Sequence, residues 1–180
     1  MSSPFLKLAI GGVVGIILIA MIGGIIGGGK TGVKEQAISL KLYTDVTLSM
    51  ISNYQPKVKS SALRSSSASL YSVLSSTNNE LESYITEKYS YKSGSESKKA
   101  KKEYEAHQTE LSSTLFDAKI TGRLDRIYAR EMTYEISVIM NSEAKIINSS
   151  SDQTLKDLLT TSYESLDVLY FNFNDFSDIK

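Results

Sequence analysis

From Leu8 to Ile26 the chain uses only Leu, Ile, Val, Ala, Met and Gly, an unbroken apolar run of 19 residues. About 20 such residues cross a bilayer core as a helix, and a charge inside would oppose insertion by roughly 2.5–3.5 kcal/mol. Lys7 is the one charge between Pro4 and Gly28, and it sits before the run. A cleaved signal peptide has a shorter core, roughly 7–15 residues, and ends in a small-x-small site. This run is longer and no Ala-x-Ala follows it. The expectation is an uncleaved N-terminal transmembrane anchor over residues 1–29, followed by one domain over residues 30–180.

Glycine is patterned within the run. Gly11, Gly15, Gly23 and Gly27 fall on a step of four, with Ile19 in the gap, so they share one ridge of a helix. Small residues at that spacing let two membrane helices approach closely. The ridge predicts a homo-oligomer formed through the span, against the alternative that glycine is simply common in such helices. Orientation is less constrained. Lys30, Lys34 and Lys41 follow the run while only Lys7 precedes it. The positive-inside rule read literally disfavours an external C-terminal domain, yet long domains translocate largely regardless of such counts. The chain has no cysteine, which suits a surface where thiols oxidise and removes disulfides, thiolate metal sites and thiol catalysis together. A single-pass protein of the cell membrane with an extracytoplasmic domain is therefore expected. Its partners would be membrane lipids and a protein that the sequence does not name. Nucleic acid is not among them, because 20 basic residues balance 20 acidic ones.

After residue 30 the breakers are few: Gly32, Gly94, Gly122 and Pro56. Ala37, Leu40, Tyr43, Thr47 and Met50 recur at steps of three and four, which predicts an amphipathic helix ending before Pro56. A second helix carries Val58, Ala62, Leu70, Val73, Leu74, Leu81, Tyr84 and Ile85. It either breaks at Thr77-Asn78-Asn79-Glu80, which has the form of a capping box, or runs on to about Tyr89. A loop around Gly94 follows. Helix resumes near Lys98, through Tyr104, Leu111, Leu115 and Ala118. Gly122 precedes the strongest pattern in the chain, Leu124, Ile127, Tyr128, Met132, Ile136, Ile139 and Met140. There the glycine is either an N-cap, with Asp125 complementing the first turn, or a tolerated residue in one kinked helix. Residues 148–152 read as a loop and cap before a last helix with Leu155, Leu158, Leu159, Leu166, Leu169, Tyr170, Phe173 and Phe176. No stretch alternates with period two for long enough to make a strand. The fold class expected is all-α, with the transmembrane helix followed by an antiparallel bundle.

The stretch Ile120 to Met132, with Gly122, Leu124, Asp125, Tyr128 and Met132 at their spacing, resembles the bacterial exported ferritin-like four-helix-bundle family of unknown function. Gln55 to Lys59 looks like the start of that family's second helix, and Ser151 to Leu169 looks like its fourth helix. The resemblance implies a four-helix, ferritin-like bundle whose third core helix opens at Gly122. Where the family carries histidines on its second and third helices, this chain has Ser65-Ser66-Ser67 and Thr133-Tyr134-Glu135. Di-metal sites in such bundles need Glu-x-x-His pairs, and none is present. The resemblance thus supports the fold; no cofactor, metal ligand or catalytic residue is assigned.

The remaining candidates are weighed against plainer readings. His107, near Glu103, Glu105 and Glu110, reads as a solvated surface residue rather than a metal ligand or pH sensor. Gly24 to Thr31 has the Walker spacing, but half of it lies in the apolar run and no strand precedes it. Arg123, Arg126 and Arg130 with Asp125 and Glu131 read as ion pairs, or as a buried Asp holding a helix start. Tyr163, Tyr170 and Phe173 fit a core, whereas Phe171 faces elsewhere. Lys88, Lys92, Lys98, Lys99, Lys101 and Lys102 surround the Gly94 loop. If the first helix rises from a membrane and the second descends, this basic loop returns to the bilayer and meets anionic headgroups there. The bland alternative is a charged turn in water. The function expected is structural or interactive rather than enzymatic, with a ferritin-like metal or small-molecule binder as the alternative.

Overall fold

The computed structural model describes residues 32–94 and 98–177, and the expected span with Gly11, Gly15, Gly23 and Gly27 lies outside them. Among the described residues the structure is all-helical: α1 (Val33–Tyr54), α2 (Ser61–Tyr89), α3 (Lys98–Ile120), α4 (Leu124–Ser149) and α5 (Gln153–Ser177), with a 3₁₀ turn at Gln55–Lys57. No helix among them is long and apolar enough to cross a membrane.

Neighbouring helices run α1, α2, α5, α4 and back to α1, while α3 lies along the groove between α1 and α4. The alternation of direction places two sets of ends apart. At one end lie Gly32, the close of α2 and the start of α5: the Lys34 ammonium sits 5.9 Å from the Tyr89 ring centroid, and Lys88 Nζ pairs with Asp152 at 2.9 Å. At the other lie the 3₁₀ turn and the starts of α2 and α4. Helix α3 is parallel to α1, since Tyr104 donates to the Ser39 carbonyl near their starts and Tyr54 to the Ser112 carbonyl near their ends.

The breakers act as their chemistry requires. Pro56 sits in the 3₁₀ turn, where its missing N–H is harmless. Gly122 has φ +70°, its N–H bonds the Lys119 carbonyl, and the Arg123 N–H bonds the Ala118 carbonyl at 2.8 Å. That pair of bonds is a Schellman motif, so Gly122 ends α3 by a turn; it neither caps α4 nor kinks one long helix. Asp152 Oδ1 accepts the N–H groups of Thr154 and Leu155 and caps α5. The break offered at Thr77–Glu80 does not occur. Leu63, Ser67, Leu70, Leu74, Asn78, Leu81 and Ile85 continue one buried stripe, and Asn78 donates across to Asp45 at 2.7 Å.

The core is apolar along most of its length. Leu70, Leu74 and Leu81 of α2 and Leu155, Leu159 and Phe173 of α5 are buried, as are Tyr128, Met132 and Ile136 of α4, with Leu115 of α3 added from the side. Tyr128 and Phe173 pack ring against ring at 6.4 Å.

Candidate functional site

Polar side chains interrupt this core in the layer where α3 covers the α1–α4 groove. Thr47, His107 and Glu135 fall on the buried stripes of α1, α3 and α4, and their exposures are 0, 5 and 1 %. Glu135 Oε2 accepts the Thr47 hydroxyl and meets His107 Nε2, each at 3.2 Å. The His107 ring stacks on Tyr43 with centroids 5.0 Å apart and planes 15° from parallel. Burial lowers the affinity of His107 for its proton, but the Glu135 carboxylate outweighs it and the pKa is raised above the ordinary value. Burial and the Glu135 charge together push the Tyr43 hydroxyl well above 10. The surface reading of His107 is corrected: it is a buried partner of Glu135. The signal was in the sequence, since 104, 107, 111, 115 and 118 step by three and four and His107 occupies the stripe.

Two turns along α4, Glu143 is fully buried. It accepts the Ser162 hydroxyl of α5 at 2.6 Å, and burial pushes its pKa up to about 8 despite that bond. A protonated carboxylic acid is therefore the resting form near neutrality. Between α1 and α2, Lys41 is nearly buried against Asp45 at 2.7 Å and Glu82 at 3.6 Å. Burial pulls the Lys41 pKa down; the two carboxylates pull it up and prevail. These groups hold helices in register across α1, α2, α3, α4 and α5. Among the described residues no three His, Cys, Asp or Glu side chains are grouped to hold a metal ion.

The motif of Gly122, Leu124, Asp125, Tyr128 and Met132 is structural in a way its sequence does not state. Leu124, Tyr128 and Met132 face the core. Asp125 reaches out of its own helix: its oxygens accept the backbone N–H groups of Lys59 at 2.9 Å and Ser60 at 2.7 Å, at the start of α2. Ser60 in turn accepts the Leu63 N–H, and Arg64 donates to the Val58 and Lys59 carbonyls. Arg130 pairs with Glu131 on the surface at 2.6 Å.

The lysines around Gly94 lie at the Gly32 end, as the up-and-down geometry predicts. They are not uniformly open to a ligand. Lys88 is held by Asp152, whose pKa the lysine draws down to about 2. Lys101 lies 4.0 Å from Glu105, and Lys102 lines a shallow groove with Glu105, Glu110 and Asp117. Lys92 is exposed, and the side chains of Lys98 and Lys99 lie outside the described residues. On α5, Phe173 is core while Phe171 and Val168 stand 59 and 63 % exposed.

No protein-family profile, no curated protein and no solved structure matches this chain.

Proposed function

We propose that the chain is a single-pass membrane protein whose helical bundle stands on the extracytoplasmic side and serves a structural or interaction role at the cell surface. The observation that carries this reading is the polarity of the bundle. Gly32, which follows the apolar run, shares one end with the basic α2–α3 loop, and α5 finishes at the opposite end. A helix of 29 residues such as α2 spans about 43 Å, so the far end would be displaced by that order from a bilayer at Gly32. The buried polar groups pin helix to helix, which suits a rigid spacer. The glycine ridge of the span adds self-association to the proposal.

Protease treatment of intact cells, with alkaline carbonate extraction of their membranes, tests it. The expected result is a chain that stays with the membrane and loses its bundle to external protease. Release by carbonate, or protection until lysis, defeats the reading. Contact of the basic loop with anionic lipid is tested by neutralising Lys88, Lys92, Lys98, Lys99, Lys101 and Lys102 together; unchanged vesicle binding in low salt removes that part.

The likeness to exported ferritin-like bundles belongs to the same proposal. It is supported by α4 opening directly after the Gly122 turn and by α1, α2, α4 and α5 forming the inner set of helices. The alternative, a metal-binding bundle, is favoured by one observation, the burial of His107 beside Glu135. Stoichiometric iron or manganese in the purified full chain would select it.

A further inference from the structure

Five cations from three segments converge at the end of the bundle opposite Gly32. Lys57 belongs to the 3₁₀ turn, Lys59 to the linker after it, Lys119 to the last turn of α3, and Arg123 and Arg126 to the start of α4. They line one cavity of about 600 Å³, and the one acid among the lining residues is Asp125. Asp125 accepts the Lys59 and Ser60 N–H groups and its charge offsets only one of the five cations, so the lining stays strongly positive.

The fold alone gives no reason for two of these charges. Lys119 complements the carbonyl end of α3, where a cation is favourable. Arg123 and Arg126 do the opposite: they occupy the N-cap and first turn of a 26-residue helix whose start no side chain caps. Cations there oppose the helix dipole and one another. Asp125 in the same turn compensates one of them, and the excess positive charge that remains calls for an anion.

We propose that this cavity binds a phosphoryl group carrying two or more negative charges. Guanidinium forks match phosphate oxygens two at a time, lysines add point charges, and residues 122–126 bring the start of α4, the end where a helix favours an anion, to the cavity lining. Arg123 is part-positioned already, its Nε donating to Thr121 Oγ1 at 3.2 Å. The volume exceeds that of one phosphate and accommodates the unit that bears it. The phosphoryl group comes either from a soluble phosphate ester or from a phospholipid headgroup on an apposed surface. The cavity belongs to the bundle alone, so phosphoryl binding there is independent of the anchor and of the orientation of the chain.

The test uses the full chain in phosphatidylcholine nanodiscs. Inorganic pyrophosphate is titrated by calorimetry, and vesicles of phosphatidylcholine with or without phosphatidic acid, whose phosphate is a monoester, are compared by co-flotation. The expected result is saturable one-to-one binding of pyrophosphate, weakened at least tenfold by Arg123→Ser with Arg126→Ser and unaffected by Lys88→Ser with Lys92→Ser at the other end. Capture by phosphatidic acid vesicles alone, with the same dependence on the two arginines, supports the cavity and assigns the headgroup as source. Lys119→Ser, on an exposed turn, supplies an independent loss should the arginine pair unfold the chain. Absence of binding to both probes overturns the proposal. So does equal weakening by the two pairs of variants, or equal competition by sulfate at matched ionic strength.

Discussion

The carboxylate of Asp125, in the first turn of α4, accepts the backbone N–H of Ser60 at 2.7 Å, and so fastens the start of one helix to the start of another 65 positions away in sequence. Its second oxygen holds Lys59 at 2.9 Å. Charge-assisted bonds of this kind contribute roughly 1.5–3 kcal/mol each. Asp125→Ala is expected to lower stability by about 2–4 kcal/mol, and Asp125→Asn by less, since its amide oxygen still accepts. Urea unfolding followed by circular dichroism checks both. Equal stability of wild type and Asp125→Ala would show the clamp to be incidental.

Gly122 is the other half of that junction. Its φ of +70° lies in the left-handed region, and an added Cβ meets nothing within 4 Å. Gly122→Ala therefore reports backbone strain with no steric clash, an expected loss of about 1–2 kcal/mol. Gly122→Asn is expected to lose less, because asparagine tolerates that region. A loss much above this range in thermal unfolding would mean that the turn carries more than its conformation.

The His107–Glu135 pair predicts a non-additive result. Removing one partner strands the other in the core, and Glu135→Leu alone is expected to cost about 3–5 kcal/mol. The double variant His107→Leu, Glu135→Leu is expected to recover most of that, since Thr47 retains its bond to the Tyr43 carbonyl. Additive losses in the double-mutant cycle would contradict the pairing.

Stability is expected to fall as pH rises from about 6 to 8, by two routes of the same sign. The His107 pKa is raised on folding, so its contribution is complete below its ordinary 6.5 and is lost as pH climbs through the higher folded value. Glu143 keeps its proton in the folded chain up to about 8, while the unfolded carboxyl ionises near 4.5. The folded state thus binds more protons across that interval and loses ground with each step upward, by at most about 1.4 kcal/mol per unit. Glu143→Gln keeps an acceptor for Ser162, should flatten the slope, and should leave the protein more stable than wild type at pH 8 by about 1–3 kcal/mol. At the acid extreme the sign reverses, because Asp152 has a depressed pKa and its cap on α5 fails as pH drops toward 2. Denaturant midpoints across pH 2–9 test all three groups; a wild-type profile flat between 6 and 8 would refute the assignment for His107 and Glu143.

What the sequence discloses and what it hides follow from the range of the forces involved. Pro56, Gly122 and the Asp152 cap act within a few residues of themselves, so their sites as breakers are readable from the chain, although the choice between turn and kink at Gly122 needed the Schellman bonds. Stripes of apolar residues place α1, α4 and α5 nearly to their ends. His107 reads as a surface residue when polarity is weighed above position, although it steps in register with Tyr104 and Leu111. Glu135 and Glu143 likewise occupy core positions of α4, between Met132 and Ile136 and between Ile139 and Ile146, and a charged residue on a buried stripe asks for a partner that only the fold can name. Asp125 reads as part of a helix start, but that it serves the start of α2 is a contact across 65 residues. The cationic cavity escaped for the same reason: Lys57 and Lys119 are far apart until α1 and α3 run parallel.

Five passes are an odd number, so the described chain enters at one end and leaves at the other. Tension applied between Gly32 and the close of α5 would run along the helix axes and load their interdigitated side chains together, in shear, instead of peeling off one helix at a time. An even-numbered bundle, with both termini at one end, would open like a zipper under the same pull.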